Sequence, residues 1–303
     1  MNISLSNDNS HGMKHIKQMK NKLRQVISME KVLLKDEFFA KYPFLEKEIE
    51  ENNINWKDLV DIYNDYSKYM HTYETQAEFI ANILRTHNKI HSVKSRTKNS
   101  ERLIEKIVRK TEDRRKKYGE SFKFTVDNYK EEINDLIGIR AIHIFKQDWE
   151  KIHEFILKTW KVVEITANVR NGDDTEKFKE MNIEIQSRES GYRSVHYLIE
   201  FYPTSKKVIA EIQVRTIFEE GYGEIDHQLR YSHKEIPEII ESNLLLFNRI
   251  VGSVDEMASF INQLNQNLLN IKNEFQEIIV DKNNEIEKLK TKLSKFEKMP
   301  EKY

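Results

Sequence analysis

Residues 93 to 117, VKSRTKNSERLIEKIVRKTEDRRKK, hold eleven Lys and Arg against four Asp and Glu. Arg96 and Lys98 sit two apart and point the same way on an extended segment, while Lys106, Arg109 and Lys110 fall three and four apart and share a helix face. Such a comb of fixed cations suits a polyphosphate, whose charge it neutralises in the ground state and during transfer. The ordinary alternative is a solvated basic face. Asp135, in NDLIGIR, opens an apolar strand with Gly138 and Arg140 behind it, and a carboxylate there is a hard-cation ligand or simply a strand-initiating acid. In AEIQVRT, Glu211, Gln213 and Arg215 take one face of a strand and Ala210, Ile212 and Val214 the other. That polar face is either functional or a solvated edge. Asp135 and Glu211 on neighbouring strands could jointly hold Mg²⁺, which needs only one or two carboxylates plus phosphate oxygens. In SGYRSVHY, residues 190 to 197, Gly191 permits a tight turn, Tyr192 offers a ring for stacking, and Arg193 and His196 offer donors for phosphate or ribose. Each also has a structural reading as core or surface.

These groups require elements that bring them together. Helical spacing runs from 14 to 90, for example Leu59, Ile62, Tyr63, Tyr66, Tyr69 and Met70. From Ile90 the period shortens, and five strands are expected at 90–93, 136–145, 162–165, 194–202 and 208–214. Helices are expected at about 100–117, 127–134, 147–160 and 216–230, with a hairpin across Pro203-Thr204-Ser205. The polar stretch 169–190 reads as a long loop. The fold class is α/β (α+β), a mixed sheet of about five strands flanked by helices. Three segments follow: an N-terminal helical one over 1–74, a central domain over 75–235, and a C-terminal helical or coiled-coil one over 240–299.

In that last segment Ile250, Val254, Met257, Ile261, Leu264, Leu268, Ile271 and Phe275 step by four and three; a further step of four to Ile279 resets the register, and Lys282 takes a core position before Ile286, Leu289, Leu293 and Phe296. This predicts a helical hairpin, an oligomerising coiled coil, or one amphipathic helix folded back on its own domain.

Of the 303 residues, 50 are Lys or Arg, 50 are Asp or Glu, and none is Cys. Neutrality excludes a uniformly basic nucleic-acid coat, and the missing cysteines exclude a disulfide scaffold, a thiolate metal site and a Cys nucleophile. No secretory signal or membrane span is read, so a cytoplasmic protein with no membrane partner is expected. His87 and His91 have an H-x-x-x-H spacing but no zinc-site context, and His143 and His153 read as structural. P-loop and Rossmann fingerprints are absent from the sequence.

In order along the chain, R-T-K at 96–98 with Lys106 and Arg109, D-L-I-G-I-R at 135–140, G-Y-R-S-V-H at 191–196, E-I-Q-V-R-T at 211–216 and the stretch at 220–231 resemble the synthetase domain of the RelA/SpoT family, makers of pppGpp and ppGpp. The resemblance spans roughly residues 75 to 232. It implies a nucleotidyltransferase-like fold and a reaction in which the 3′-hydroxyl of GDP or GTP attacks the β-phosphorus of ATP and AMP leaves. It further implies that Arg96, Lys98, Lys106, Arg109 and Arg140 grip ATP and that Asp135 and Glu211 are catalytic and bind Mg²⁺. Tyr192, Arg193, His196, Gln213 and Arg215 would then serve the acceptor. Tyr222 stands where the family usually has Trp, and Glu220 where some small synthetases have Asn. The acceptor therefore stays open between a guanine nucleotide and the 3′ end of tRNA, and a nucleotide-sensing scaffold is a third reading. No His is followed by Asp, so the chain resembles a small synthesis-only member, with a homo-oligomer through the C-terminal coiled coil as a further expectation.

Overall fold

The computed structural model describes residues 33–203, 207–232 and 236–297. The periodic residues 14–32 and the hairpin positions Thr204 and Ser205 lie outside them. In chain order the elements are α1 (Lys35–Lys41), α2 (Phe44–Glu51), α3 (Trp56–Arg85), β1 (Ser92–Thr97), α4 (Ser100–Tyr118), α5 (Tyr129–Glu132) and β2 (Ile137–His143). Then come α6 (Asp148–Thr159), β3 (Lys161–Val169), α7 (Glu176–Glu180), β4 (Glu184–Ser187), β5 (Ser194–Phe201), β6 (Val208–Thr216), α8 (Ile217–Ser232) and α9 (Glu238–Glu297). Among the described residues the strands form one six-stranded sheet in the order β1-β2-β6-β5-β3-β4.

Four of the five expected strands lie where the alternation puts them; the first begins two residues late, at Ser92. The expected loop 169–190 needs correction, because it contains α7 and a sixth strand, β4. β4 runs parallel to β3, pairing Thr166 with Glu184 and Val169 with Ser187. Four residues at a sheet edge, none of them buried, carry too little hydrophobic pattern to announce a strand. The C-terminal segment also differs from the hairpin reading: α9 is one continuous 60-residue helix.

The chain divides into two compact units. The first takes Ser95–Gly138, Phe201–Glu211 and the described part of Met1–Ile80. Its core is helical, with Phe38, Leu45, Leu59, Ile62, Tyr66, Leu103, Ile104 and Ile107 at most 2% exposed. The spacing of Leu103, Ile104, Ile107, Val108 and Thr111 turns one face of α4 inward. Asn99 starts that helix by accepting from the backbone N–H groups of Glu101 and Arg102 at 3.0 and 3.2 Å. The basic residues of α4 are thereby left on its other faces.

The second unit takes Ala81–Lys94, Ile139–Glu200 and the chain from Ile212 onward. Here β3 and β5 pair antiparallel, Ile165 opposite Tyr197 and Ala167 opposite Val195. Buried Tyr197 accepts from Trp149 Nε1 at 2.9 Å, and its hydroxyl lies 3.0 Å from His153 Nδ1. Burial holds the His153 and His143 imidazoles below their ordinary range. Both histidines therefore sit in structural surroundings.

Candidate functional site

In the first unit the site is built around Asp135, in the turn just ahead of β2. Lys98 Nζ lies 2.6 Å from Asp135 Oδ2, and Lys106 Nζ lies 2.8 Å from Oδ1. Lys98 follows β1 and is pinned through its backbone: its N–H donates to Leu136 O at 3.1 Å, and its carbonyl accepts from Tyr66 Oη at 2.7 Å. Lys106 comes from the second turn of α4. The strand-to-helix junction at Asn99 thus aims two ammonium groups at one carboxylate. The three side chains are 14–21% exposed, so the charges are only partly screened.

Burial opposes ionisation of Asp135, but Lys98 and Lys106 outweigh it and hold the carboxyl down at about 2. Burial pulls the Lys98 ammonium below its ordinary range despite Asp135, and Lys106 and Arg96 add to that pull. Two lysines for one acid leave the cluster net positive. Arg96 lies across β2 at Gly138, where a Cβ would stand 3.2 Å from Arg96 Nε; glycine there gives the guanidinium its place against the strand. Arg109 is more exposed and pairs with Glu105 Oε1 at 3.1 Å within α4. Farther along, Arg114 Nε pairs with Glu132 Oε2 at 2.6 Å and takes a bracing role.

The cationic comb, read from spacing, is therefore split by use. Lys98 and Lys106 hold Asp135, Arg109 pairs within α4, and Arg114, beyond the comb on the same helix, ties down neighbouring chain. Asp135 Oδ1 is engaged by Lys106 Nζ at 2.8 Å, so this oxygen gains acceptor capacity for a hard cation once Lys106 is drawn away. Glu211, on β6, belongs to the same unit. Two carboxylates are a sufficient protein contribution for Mg²⁺ alongside phosphate oxygens.

In the second unit a different acid is the hub. Glu220, in the first turn of α8, receives Lys94 Nζ at 2.9 Å, Arg140 Nη1 at 3.2 Å and Arg215 Nη2 in a shorter contact. Arg140 also pairs closely with Glu224. Burial opposes the Glu220 charge, and Lys94, Arg215 and Arg140 lower its carboxyl below the usual range. Arg140, grouped with the phosphate ligands on sequence grounds, is therefore engaged by two glutamates of α8. Arg215 is 3% exposed, and its guanidinium lies 5.6 Å from the centre of the Tyr192 ring.

Tyr192 Oη is 3.1 Å from His196 Nε2, with the two rings edge to face at 5.9 Å. The Tyr192 loop is fixed from both sides. Tyr222 Oη donates to Ser190 O at 2.5 Å, and Asn248 Nδ2 of α9 donates to Gly191 O at 2.9 Å. Gly191 has φ +75°, and a Cβ there would stand 2.5 Å from Asn248 Oδ1. Arg193 leaves this group: it pairs with Asp173 at 2.6 Å and donates to Asn248 Oδ1 at 3.2 Å. It lines a cavity of about 570 Å³ with Val214, Thr216 and Glu219, and none of Asp135, Glu211, Tyr192, His196 or Arg215 lines that cavity. Gln213 is buried on β6.

Sequence reasoning missed Glu220 and Glu224 as partners of Arg140 and Arg215, and Asn248 as the clamp on Gly191. Glu224, four residues after Glu220, shares its helix face, which is the one available signal.

Residues 95–236 match the region found in RelA/SpoT proteins. The chain is 26% identical over 199 residues to the GTP pyrophosphokinase YwaC of Bacillus subtilis (strain 168), covering 64% of this chain and 79% of that relative. It is 29% identical over 139 residues to the GTP pyrophosphokinase YjbM of the same organism, covering 43% of this chain and 58% of the relative. The crystal structure of the small alarmone synthetase 1 from Bacillus subtilis aligns with a TM-score of 0.48 at 24% identity, over 67% of this chain and 95% of that one. Among the described residues no helix is long and apolar enough to cross a membrane. Residues 95–236, which hold Lys98, Lys106 and Asp135 as well as Tyr192 and Glu220, are thus similar to the region found in RelA/SpoT proteins.

Proposed function

We propose that this chain transfers pyrophosphate from ATP to the 3′-hydroxyl of GDP or GTP. The observation that carries the reading is the Asp135 cluster: a buried carboxylate held by two lysines, with Arg96 close by and Arg109 on the same helix as Lys106. Its ammonium groups are point charges on rotatable stems, able to pass from a carboxylate to a phosphate. Arg109 is half-exposed and its i,i+4 partner Glu105 largely covered, so releasing the pair costs on the order of 1 kcal/mol. The kinship with two GTP pyrophosphokinases supports the same reading.

On this reading Arg96, Lys98, Lys106 and Arg109 hold the ATP phosphates, and Tyr192 and His196 serve the guanine nucleotide. The acceptor 3′-oxygen forms a bond to the β-phosphorus, the bond from that phosphorus to the α,β-bridging oxygen breaks, and AMP departs with that oxygen. The acceptor proton passes to Glu211. Asp135 and Glu211 would hold Mg²⁺, which when bound supplies Lewis-acid neutralisation of the phosphate oxygens. The lysines and arginines hold the reactants in line and offset the charge that moves to the leaving oxygen.

The test is purified full-length chain with γ-labelled ATP and either GDP or GTP. Label should appear on the guanine nucleotide with one AMP released per transfer, and Glu211→Gln should stop both while leaving the melting temperature unchanged. Absence of transfer to either guanine nucleotide overturns the proposal, and label on the 3′ end of tRNA instead would reassign the acceptor.

A further inference from the structure

The helix α9 has two faces with opposite fates. Over its first six turns it packs on its own unit through a polar and small face. Leu244, Asn248, Asp255 and Ser259 are at most 8% exposed, and Ser259 accepts from Lys146 N at 3.0 Å and from Gln147 Nε2 at 2.9 Å. The apolar stripe points elsewhere from the start: Ile250 is 54% exposed and Met257 58%. Beyond Ser259 no residue with described burial returns to the buried class. The stripe of Ile261, Leu264, Leu268, Ile271, Phe275, Ile279, Ile286, Leu289 and Leu293 runs from 47% exposed at Ile286 to 62% at Phe275. Folding back on its own unit therefore leaves this stripe uncovered. A stripe about 48 Å long at 1.5 Å per residue is far more apolar surface than a lone helix keeps in water.

We infer that the stripe is covered by the same stripe of a second copy of this chain, parallel and in register, as a two-stranded coiled coil. The flanking charges select this occupant. With Ile261, Leu268 and Phe275, then Ile279, Ile286 and Leu293, at a positions, Glu285 falls at g and Lys290 at e. In a parallel pair Glu285 faces Lys290 of the other copy, and the symmetry makes the contact twice. Sliding the copies antiparallel so that apolar layers still meet places Glu274 against Glu285 of the other copy, again twice, and like charges oppose it. Parallel pairing also sets the two register resets at Phe275–Ile279 side by side, so both helices unwind at one level. Lys282, at d, then meets its own copy and weakens the pair at one layer.

The absence of cysteine makes the arrangement directly testable on the full-length chain. Sedimentation at micromolar concentration should give twice the chain mass, and Leu289→Cys should oxidise to a covalent dimer. Lys282→Leu should lower the concentration at which the dimer dissociates by about tenfold or more. Leu264→Lys with Leu289→Lys should give a monomer whose thermal unfolding below α9's exposed stretch is unchanged. A wild-type monomer up to tens of micromolar overturns the inference, and so does a monomer that binds anionic phospholipid vesicles through the stripe. Cross-linking confined to mixtures of Leu268→Cys with Leu289→Cys overturns it too, since those positions meet only in the antiparallel pair.

Discussion

Asp135 is held by two lysine ammonium groups, Glu220 by one lysine and two guanidinium groups, and both acids are mostly buried. The chemistry of the cations separates them. Lysines on flexible stems present charge without fixed geometry and can change partners; arginine forks locked against carboxylates do not. Arg215 is nearly sealed from solvent and Arg140 is shared by two glutamates, so the Glu220 cluster fixes α8 to the strands of its own unit. The Asp135 cluster instead holds a carboxylate that a polyphosphate could replace. One unit thus holds an ion pair built to exchange and the other an ion pair built to stay.

The largest effect should come from Asp135→Asn. Transfer should fall by at least about 10³-fold, while ATP binding measured without divalent metal should tighten, because Lys98 and Lys106 no longer have a carboxylate to leave. Loss of ATP binding together with activity would erase the distinction, since Asp135 would then be a brace like Glu220. Glu220→Gln should act in the opposite sense. Removing one member of a buried cluster leaves Lys94, Arg140 and Arg215 facing one another at a cost of about 3 kcal/mol, a fall in melting temperature of roughly 6 °C or more. An unchanged melting temperature with abolished ATP binding would put Glu220 among the ligands.

How much of this was readable beforehand depends on whether the signal was local. Lys98, Lys106 and Asp135 were legible because residue type and spacing along one strand and one helix already limit where the charges point. β6 was legible from strict alternation, with Ala210, Ile212 and Val214 all buried. β4 was not, since four half-exposed edge residues leave no pattern. The inward face of α9 was also hidden: Asn248, Asp255 and Ser259 are polar, and the eye is drawn to the apolar stripe on the other side. Partner choice was least visible of all. Nothing within reach of Arg140 in sequence indicates that glutamates 80 and 84 residues away will hold it.

A smaller effect is expected at Gly191→Ala. The residue would have to keep φ near +75° with its Cβ pressed on Asn248, costing about 2 kcal/mol. The strain falls on the loop carrying Tyr192, so KM for the guanine nucleotide should rise while KM for ATP holds. Equal rises in both would show that Asn248 supports the unit as a whole and not this loop in particular.

The smallest effect separates the units by pH. Burial, with Asp255 beside it, pushes the Glu219 carboxyl up to about 7, against the help of the Thr216 N–H at 2.8 Å. Below its ordinary value of 4.5 the group is neutral in both folded and unfolded chains, and its contribution to stability is fully present. As pH rises through 4.5 the unfolded chain ionises first, and by the time pH has passed 7 that contribution is lost. Asp135 runs the other way: its contribution is present above the ordinary 3.8 and is lost as pH falls through about 2. Glu219→Gln cannot ionise and its amide oxygen can still accept from Thr216, so at about pH 8 the variant should be more stable than wild type by on the order of 1 kcal/mol, solvent at the partly exposed Glu219 screening the full shift. At about pH 4 the two should unfold together. A gain of equal size at both pH values would mean that the substitution improves packing, and that Glu219 is not carried neutral through the range where Asp135 is charged.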